Sequence, residues 1–274
     1  MNVFYTFSDQ SGIGDNIRGL ISLLQIKELI KKEKELNIFV DFSESKIVKY
    51  LKHRLPDNIL KLKHGVETHF FYIADKRAHC ERISDYLLNS TTDVVSINTN
   101  GLPDETNITE EIKEFIHKIL EFNEDFDRVF SEYLRKVPVD FNVYHYRFGD
   151  ERFQSDTEDG LISAMCSEFD TIHNKPCLVI SDSLLFKQKI YELYKNEIVF
   201  VFLNEPAHNR DDKNVKVLDD SVIFIDFFLI TRAKFIYSYS SYDWVSNFCL
   251  WSSYIYNIPL YDLKNNKIIN RADE

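Results

Sequence analysis

Glycine and proline are scarce in this chain, 7 and 6 of 274 residues. That excludes collagen-like repeats and Pro/Gly-rich low-complexity sequence. With 44% hydrophobic and 28% charged residues, a predominantly disordered chain is excluded too. Cysteine is also sparse. Cys80, Cys166, Cys177 and Cys249 are scattered and form no CxxC pair, so neither a zinc knuckle nor a redox motif is present, and free thiols in a reducing compartment are expected. No run approaches 18 uninterrupted apolar residues, and the amino-terminal MNVFYTFSDQSG has neither a basic n-region nor a long h-region. The chain therefore reads as cytoplasmic, without a classical signal or a membrane span, docking at a membrane surface being left open. Basic residues are outnumbered, 33 Lys and Arg against 44 Asp and Glu, for a formal charge of -11. Counterion release on a polyanion needs a basic surface, so nucleic acid is excluded as a general partner. A nucleotide is not, because a small anion needs only one or two cations and a helix N-terminus.

What is present alternates strands and helices. At about 150 residues per domain, the length suggests roughly two domains. Val3 to Phe7 reads as a buried strand, Ser8 to Asp15 as a turn, and Ile17, Leu20, Ile21 and Leu24 recur at helical spacing to about Lys34. Asn37 to Phe42 then completes a right-handed βαβ unit. Apolar runs near Ile59 to Leu62, His69 to Ile73 and Asp93 to Ile97 precede a helical pattern from Ile108 to Leu134, whose Ile112, Phe115, Ile116, Ile119 and Leu120 share one face. Lys136-Val-Pro138 breaks it and sets the expected boundary between a domain 1–137 and a domain 138–274. Beyond it, strands are expected at Phe141 to Tyr146, Cys177 to Ser181, Ile198 to Leu203, Val215 to Leu218 and Phe235 to Ser238. Helices are expected at Leu184 to Tyr194, Ser221 to Ala233 and Tyr242 to Trp251. Such alternation argues for an open α/β sheet whose ligand lies outside the carboxyl ends of the strands.

Four constellations could carry chemistry. Gly12-Ile-Gly14-Asp15-Asn16-Ile-Arg18-Gly19 follows the first strand, where glycines permit close approach and a helix N-terminus offers free N–H groups. A dinucleotide fingerprint would need glycine where Ile17 stands. A nicotinamide-dependent oxidoreductase, with Asp41 on a ribose hydroxyl, is accordingly disfavoured. His145-Tyr-Arg147-Phe-Gly149-Asp150 ends a strand, so His145 and Arg147 share a face and the arginine fork suits phosphate oxygens. Ile180-Ser181-Asp182-Ser183 reads equally as a helix cap or a ligand contact. Asp226 lies in the apolar stretch Val222 to Ile230, where a carboxylate must find donors or lose its charge, and Ser240-Ser241 follow the next strand, where they are expected to open a helix and form an anion cradle.

Taken in order, these residues resemble the GT-B glycosyltransferases of the α1,2-, α1,6- and protein O-fucosyltransferase superfamily. The resemblance covers most of the second half and about the first 40 residues, and leaves Glu44 to Val137 unmatched. It implies an α/β fold of two Rossmann-like domains facing a cleft, the second binding a GDP-sugar and the first presenting the acceptor side. His145-Tyr-Arg147-Phe-Gly149-Asp150 looks like the family's HxRxxD segment, in which the arginine clamps the β-phosphate and the histidine contacts the nucleotide. Ile180-Ser181-Asp182 looks like its second segment. Asp226 with Ser240 and Ser241 resembles the third, an aspartate that reads guanine followed by serines on the phosphates, and Gly12, Gly14, Asp15, Asn16 and Arg18 stand in for the glycine loop facing the donor. The implied activity is inverting transfer of L-fucose from GDP-fucose to a glycan hydroxyl through an oxocarbenium-like transition state. No DxD motif of the metal-dependent kind is seen, so no metal or other cofactor is expected. Asp150 is the preferred general base, over Glu151 and Asp156. Another nucleotide sugar, or a binding module without catalysis, remain alternatives. The sequence assigns neither an acceptor nor an oligomeric state.

Overall fold

The structure, a computed structural model, describes residues 1–9, 11–72, 78–149, 158–195, 197–203 and 221–271. They form two compact units, one over Met1–Arg128 and one from Val129 onward.

The amino-terminal unit runs β1 (Asn2–Thr6), α1 (Ile13–Ile30), β2 (Asn37–Asp41), α2 (Asp57–Lys63), β3 (Thr68–Phe71), α3 (Ala78–Asn89), β4 (Val94–Thr99), α4 (Glu110–Ile119) and the first turns of α5 (Glu124–Leu134). Its sheet is parallel, in the order β2-β1-β4-β3. Apolar β1 residues Val3, Phe4 and Tyr5 are fully buried, as a parallel strand covered on both faces should be. α1 starts earlier than its apolar spacing suggests. Gly12 is its N-cap, which places Gly14 and Asp15 inside the helix instead of in a preceding turn. Gly19 is fixed by packing, since a Cβ there would stand 1.9 Å from the Thr99 carbonyl oxygen.

The pattern expected as one helix from Ile108 to Leu134 is two helices. α4 ends at a cap on Leu120, and Phe122 then forms an isolated antiparallel bridge to Leu51. α5 contributes to both units: Phe126 packs on Tyr50 and Phe122, whereas Phe130 packs on Phe228.

The second unit continues with β5 (Asn142–Arg147), α6 (Glu158–Ile172), β6 (Cys177–Ser181), α7 (Leu184–Tyr194), β7 (Val199–Val201), α8 (Ser221–Ile230), β8 (Phe235–Ser240), α9 (Asn247–Tyr256), β9 (Leu260–Asp262) and β10 (Lys267–Asn270). The strand expected at Val215 to Leu218 lies outside the described residues. The sheet order is β10-β9-β8-β5-β6-β7, parallel except for β10. Tyr144 and Tyr146 point from β5 into an aromatic cluster with Phe169 of α6 and Phe186 of α7. His145 points to the opposite face, against Phe248 of α9. The four cysteines are unpaired, and burial pushes the Cys177 and Cys249 thiols up to about 12.

Candidate functional site

In the second unit the chain steps from β5 to β6 and β7 on one side, then returns to place β8 on the other. The reversal falls between the carboxyl ends of β5 and β8, where open α/β sheets bind ligands. Arg147 and Ser240 are register partners at that point.

The turn after Arg147 is held by the residues singled out in the sequence. Phe148 N and Gly149 N donate to the two oxygens of Asp182, at 2.8 and 3.1 Å. Gly149 takes a φ of 100°, a backbone state that disfavours any side chain. Ser241 closes the other side, its N donating to Arg147 O at 2.9 Å and its Oγ to Phe148 O at 2.8 Å. Ser240 Oγ accepts from Tyr242 N at 3.3 Å. Asp182 and both serines thus shape the loop around Arg147. Ser183 is the N-cap of α7, its Oγ accepting from Phe186 N.

One expectation is corrected here. Ser240 and Ser241 do not open a helix: α9 starts at Asn247 behind an N-cap at Ser246, and residues 242–246 stay in a loop. The reason is Lys264, a residue the sequence did not flag. Its ammonium donates to Ser241 O, Tyr242 O and Asp243 Oδ1 at 3.1, 2.8 and 3.3 Å, committing those carbonyls outside any helix.

His145 and Arg147 sit two residues apart on one face of β5. Among the described residues His145 Nδ1 and Arg147 Nε are buried without a hydrogen-bond partner. Native proteins seldom leave such atoms unpaired, so each calls for an explanation. Burial, reinforced by Arg147, pushes His145 down to about 3, so the imidazole is neutral at physiological pH. The Arg147 guanidinium lies 5.3 Å from the centre of the Tyr242 ring, a cation–π contact that orients it.

Asp226 lies on α8, a helix that packs beside this face through the next residue. The adjacent Phe227 packs edge-on against Phe248 at 5.3 Å, and Phe248 in turn lies 5.8 Å from the His145 ring. Apolar surroundings push the Asp226 carboxyl up to about 7, partly opposed by Lys187. Lys187, on α7, is itself 2% exposed, and burial lowers its pKa against the pull of Asp226 and Asp182. A lysine at that depth shows in sequence only as one charge on an apolar helical face, which is why it was missed.

In the amino-terminal unit the corresponding loop is engaged with itself. The Asn16 amide donates to Ser8 O at 2.9 Å and to Ser11 O and Gly12 O at 3.2 Å, while its Oδ1 accepts from Ser8 N at 3.1 Å. Arg18 is 3% exposed, pairs with Asp15 at 3.0 Å, and keeps Nε without a partner. Tyr72, unmarked in the sequence, meets Ser11 Oγ at 3.1 Å and donates to Asn98. Asp41, considered for a ribose hydroxyl, accepts instead from Lys63 at 2.5 Å and from Ser43. Burial raises that carboxyl's pKa, but these bonds outweigh it and leave it lowered.

Asp150, Glu151 and Asp156 lie outside the described residues. Among the described residues no group of three or more His, Cys, Asp or Glu side chains is arranged to hold a metal ion, and no helix is long and apolar enough to cross a membrane.

Two Rossmann-like units, each with a strand-order reversal in its sheet, define an open α/β protein. No family model and no curated protein sequence matches the chain. Solved structures do. The fucosyltransferase NodZ from Bradyrhizobium is similar with a TM-score of 0.59 at 12% identity, over 98% of both chains. NodZ alpha-1,6-fucosyltransferase soaked with GDP-fucose gives 0.58 at 12% over the same shares. A mutant of Arabidopsis thaliana FUT1 in complex with GDP gives 0.58 at 12%, over 96% of this chain and 70% of that one. The chain has the GT-B fold of these fucosyltransferases.

Proposed function

We propose that the chain is an inverting glycosyltransferase that moves L-fucose from GDP-fucose to a hydroxyl of a glycan acceptor. The observation that carries this reading is the Arg147 turn: an oriented guanidinium and a neutral His145, each with an unpaired buried nitrogen, at the strand-order reversal of a fucosyltransferase fold. The second unit is the donor domain and the first the acceptor side. Arg147 holds the β-phosphate, His145 donates or accepts one hydrogen bond from the nucleotide, and Asp226 receives the guanine N–H donors. Asp182, Ser240 and Ser241 position the turn. The acceptor oxygen forms a bond to the anomeric carbon from the face opposite the phosphate, and the bond to the β-phosphate oxygen breaks with its electron pair leaving on GDP. The hydroxyl proton passes to a general base, for which Asp150 is our assignment. Arg147 stabilises charge that grows on the diphosphate, an interaction stronger in the transition state than in the ground state. No metal is needed for that step. Gly12, Gly14, Asp15, Asn16 and Arg18 form the glycine loop of the first unit, Asn16 as its internal brace. The locale is the cytoplasm.

Thermal shift in chelator with GDP, GDP-fucose, UDP, ADP and NAD tests this. A ligand at 100 times its Kd adds about 2.7 kcal/mol. A rise with GDP and GDP-fucose only is expected. A rise with NAD, or none with either guanine nucleotide, refutes the donor reading.

A further inference from the structure

Beside the Arg147 turn the protein displays an aromatic stack whose outer ring the donor chemistry does not use. Tyr242 and Trp244 are nearly parallel, with ring centres 5.0 Å apart and planes at 11°. Tyr242 also carries the Arg147 contact, so guanidinium, phenol and indole form a continuous series leading from the site to solvent. Trp244 is 60% exposed, whereas the chain's other tryptophan, Trp251, is fully buried. The indole is not on a loose segment. The three Lys264 contacts and those of Ser240 and Ser241 fix the loop on both sides of Tyr242. A large aromatic held rigid with its face toward water forgoes the burial that its surface favours, and an arrangement of that kind suits a ligand that supplies the missing cover.

We infer that Trp244, propped by Tyr242, is the platform on which the acceptor saccharide lays a pyranose ring. The inference rests on the transferase reading and revises one part of it, giving the second unit a share in holding the acceptor. One face of a pyranose is a patch of weakly positive C–H groups, complementary to the negative face of an indole. Its hydroxyls need polar partners at the rim, and the exposed Asp243 carboxylate and the Lys264 ammonium stand there. The position also fits. Trp244 lies one ring beyond the residue that touches the arginine assigned to the phosphate. A nucleobase needs no such platform if Asp226 reads guanine from the apolar helix α8. With Asp243 at the rim and a formal charge of -11 on the chain, a neutral saccharide is the matching occupant.

The chain's two tryptophans make the test selective, because acrylamide reaches exposed Trp244 and not buried Trp251. Neutral trisaccharides built from N-acetylglucosamine, glucose, galactose and mannose, each at millimolar concentration and with and without GDP, are titrated against quenching of the parent protein. We expect at least one to cut the quenching constant by half or more while GDP alone does not. In Trp244→Phe the residual quenching should be small and indifferent to saccharide. Trp244→Ala should weaken the protecting saccharide about tenfold. Protection by GDP alone would make the stack a base platform, protection that grows with protein concentration would make it a self-association surface, and protection by no saccharide would leave it without this ligand. Each of these overturns the inference. A parent that saccharide protects but GDP does not stabilise fails the donor reading alone. One that GDP stabilises but no saccharide protects fails the acceptor platform alone.

Discussion

The two units repeat one device, a parallel sheet whose strand order reverses beside the loop leaving its first strand, and they furnish it differently. At the amino-terminal reversal polar groups bind one another: Asn16 braces Ser8 to Gly12, Lys63 ties Asp41 to Thr6, and Asn98 donates to Thr6 O at 2.5 Å. At the second reversal His145 Nδ1 and Arg147 Nε have no partner, and Asp226 is held in apolar surroundings that resist its ionisation. An unpaired buried polar group costs about 1–3 kcal/mol. A unit that tolerates that cost at its strand ends holds groups ready for a ligand, whereas one that satisfies its loop internally presents a finished surface. The first unit has exceptions in Arg18, whose Nε also lacks a partner even though Asp15 takes another of its nitrogens, and in Asn100, whose buried Oδ1 lacks one just past the end of β4.

The contrast is sharpest in Arg147→Ala, for which we expect the largest effect. Transfer should fall about 10³-fold or more, the range for removing a group that stabilises charge on a departing phosphate. The melting temperature should stay within a few degrees, because the guanidinium packs on the Tyr242 ring and its buried Nε has no hydrogen-bond partner to lose. Turnover of GDP-fucose with a melting curve on the same sample checks both, and near-parent turnover would break the phosphate assignment. Asn16→Ala should do the reverse. Losing its contacts to Ser8, Ser11 and Gly12 at about 1 kcal/mol each should cost about 3–4 kcal/mol of stability. GDP affinity of the folded fraction should change less than the stability does. Chemical denaturation read beside GDP titration decides, and a variant of normal stability that has lost GDP would dissolve the distinction between the units.

How far these features could be read without the structure depends on their range. Strand ends were legible because alternation and apolar runs are local: β1, β2, β5 and β6 stand within a residue or two of the expected spans. His145 and Arg147 were legible for the same reason, two residues apart on a strand. What failed depended on partners distant in sequence. The helix expected from Tyr242 is prevented by Lys264, and the single long helix before the second unit is interrupted where Phe122 bridges Leu51. Asp182 was recognised as a cap or ligand contact, but its hold on Phe148 and Gly149 joins two loops more than 30 residues apart. Lys187 left no signal, because its meaning comes from Asp226 on another helix.

A pH series tests the next difference. The Asp226 carboxyl holds its proton to about pH 7, whereas the ordinary value is 3.8. Folded protein therefore binds that proton more tightly than unfolded chain. The group's contribution to stability is most favourable below about pH 4, declines as pH rises toward 7 and is level above it. Guanine N–H donors require the ionised form, so GDP affinity should rise with pH by up to about tenfold per unit below 7 and then flatten. Asp226→Asn should abolish the slope and weaken GDP more than UDP. Calorimetric titration at several pH values checks this, and tighter binding on acidification would mean that the neutral acid is the donor.

The smallest effects separate two neighbours, Asp182 and Ser183, which a reading by position alone treats as one motif. Ser183→Ala removes the cap on Phe186 N and should cost about 1 kcal/mol of stability, with transfer unchanged. Asp182→Ala should cost a comparable amount of stability, yet it frees both Phe148 N and Gly149 N and with them the turn that aims Arg147. Misaiming a group that acts only in the transition state lowers kcat more than it raises KM. We expect about a tenfold fall in kcat for Asp182→Ala, with GDP affinity reduced less. Paired kinetics and melting curves on the two variants measure the difference. Equal kinetics at equal stability loss would reduce Asp182 to a second cap and place the aim of Arg147 on Ser241 and Tyr242 alone.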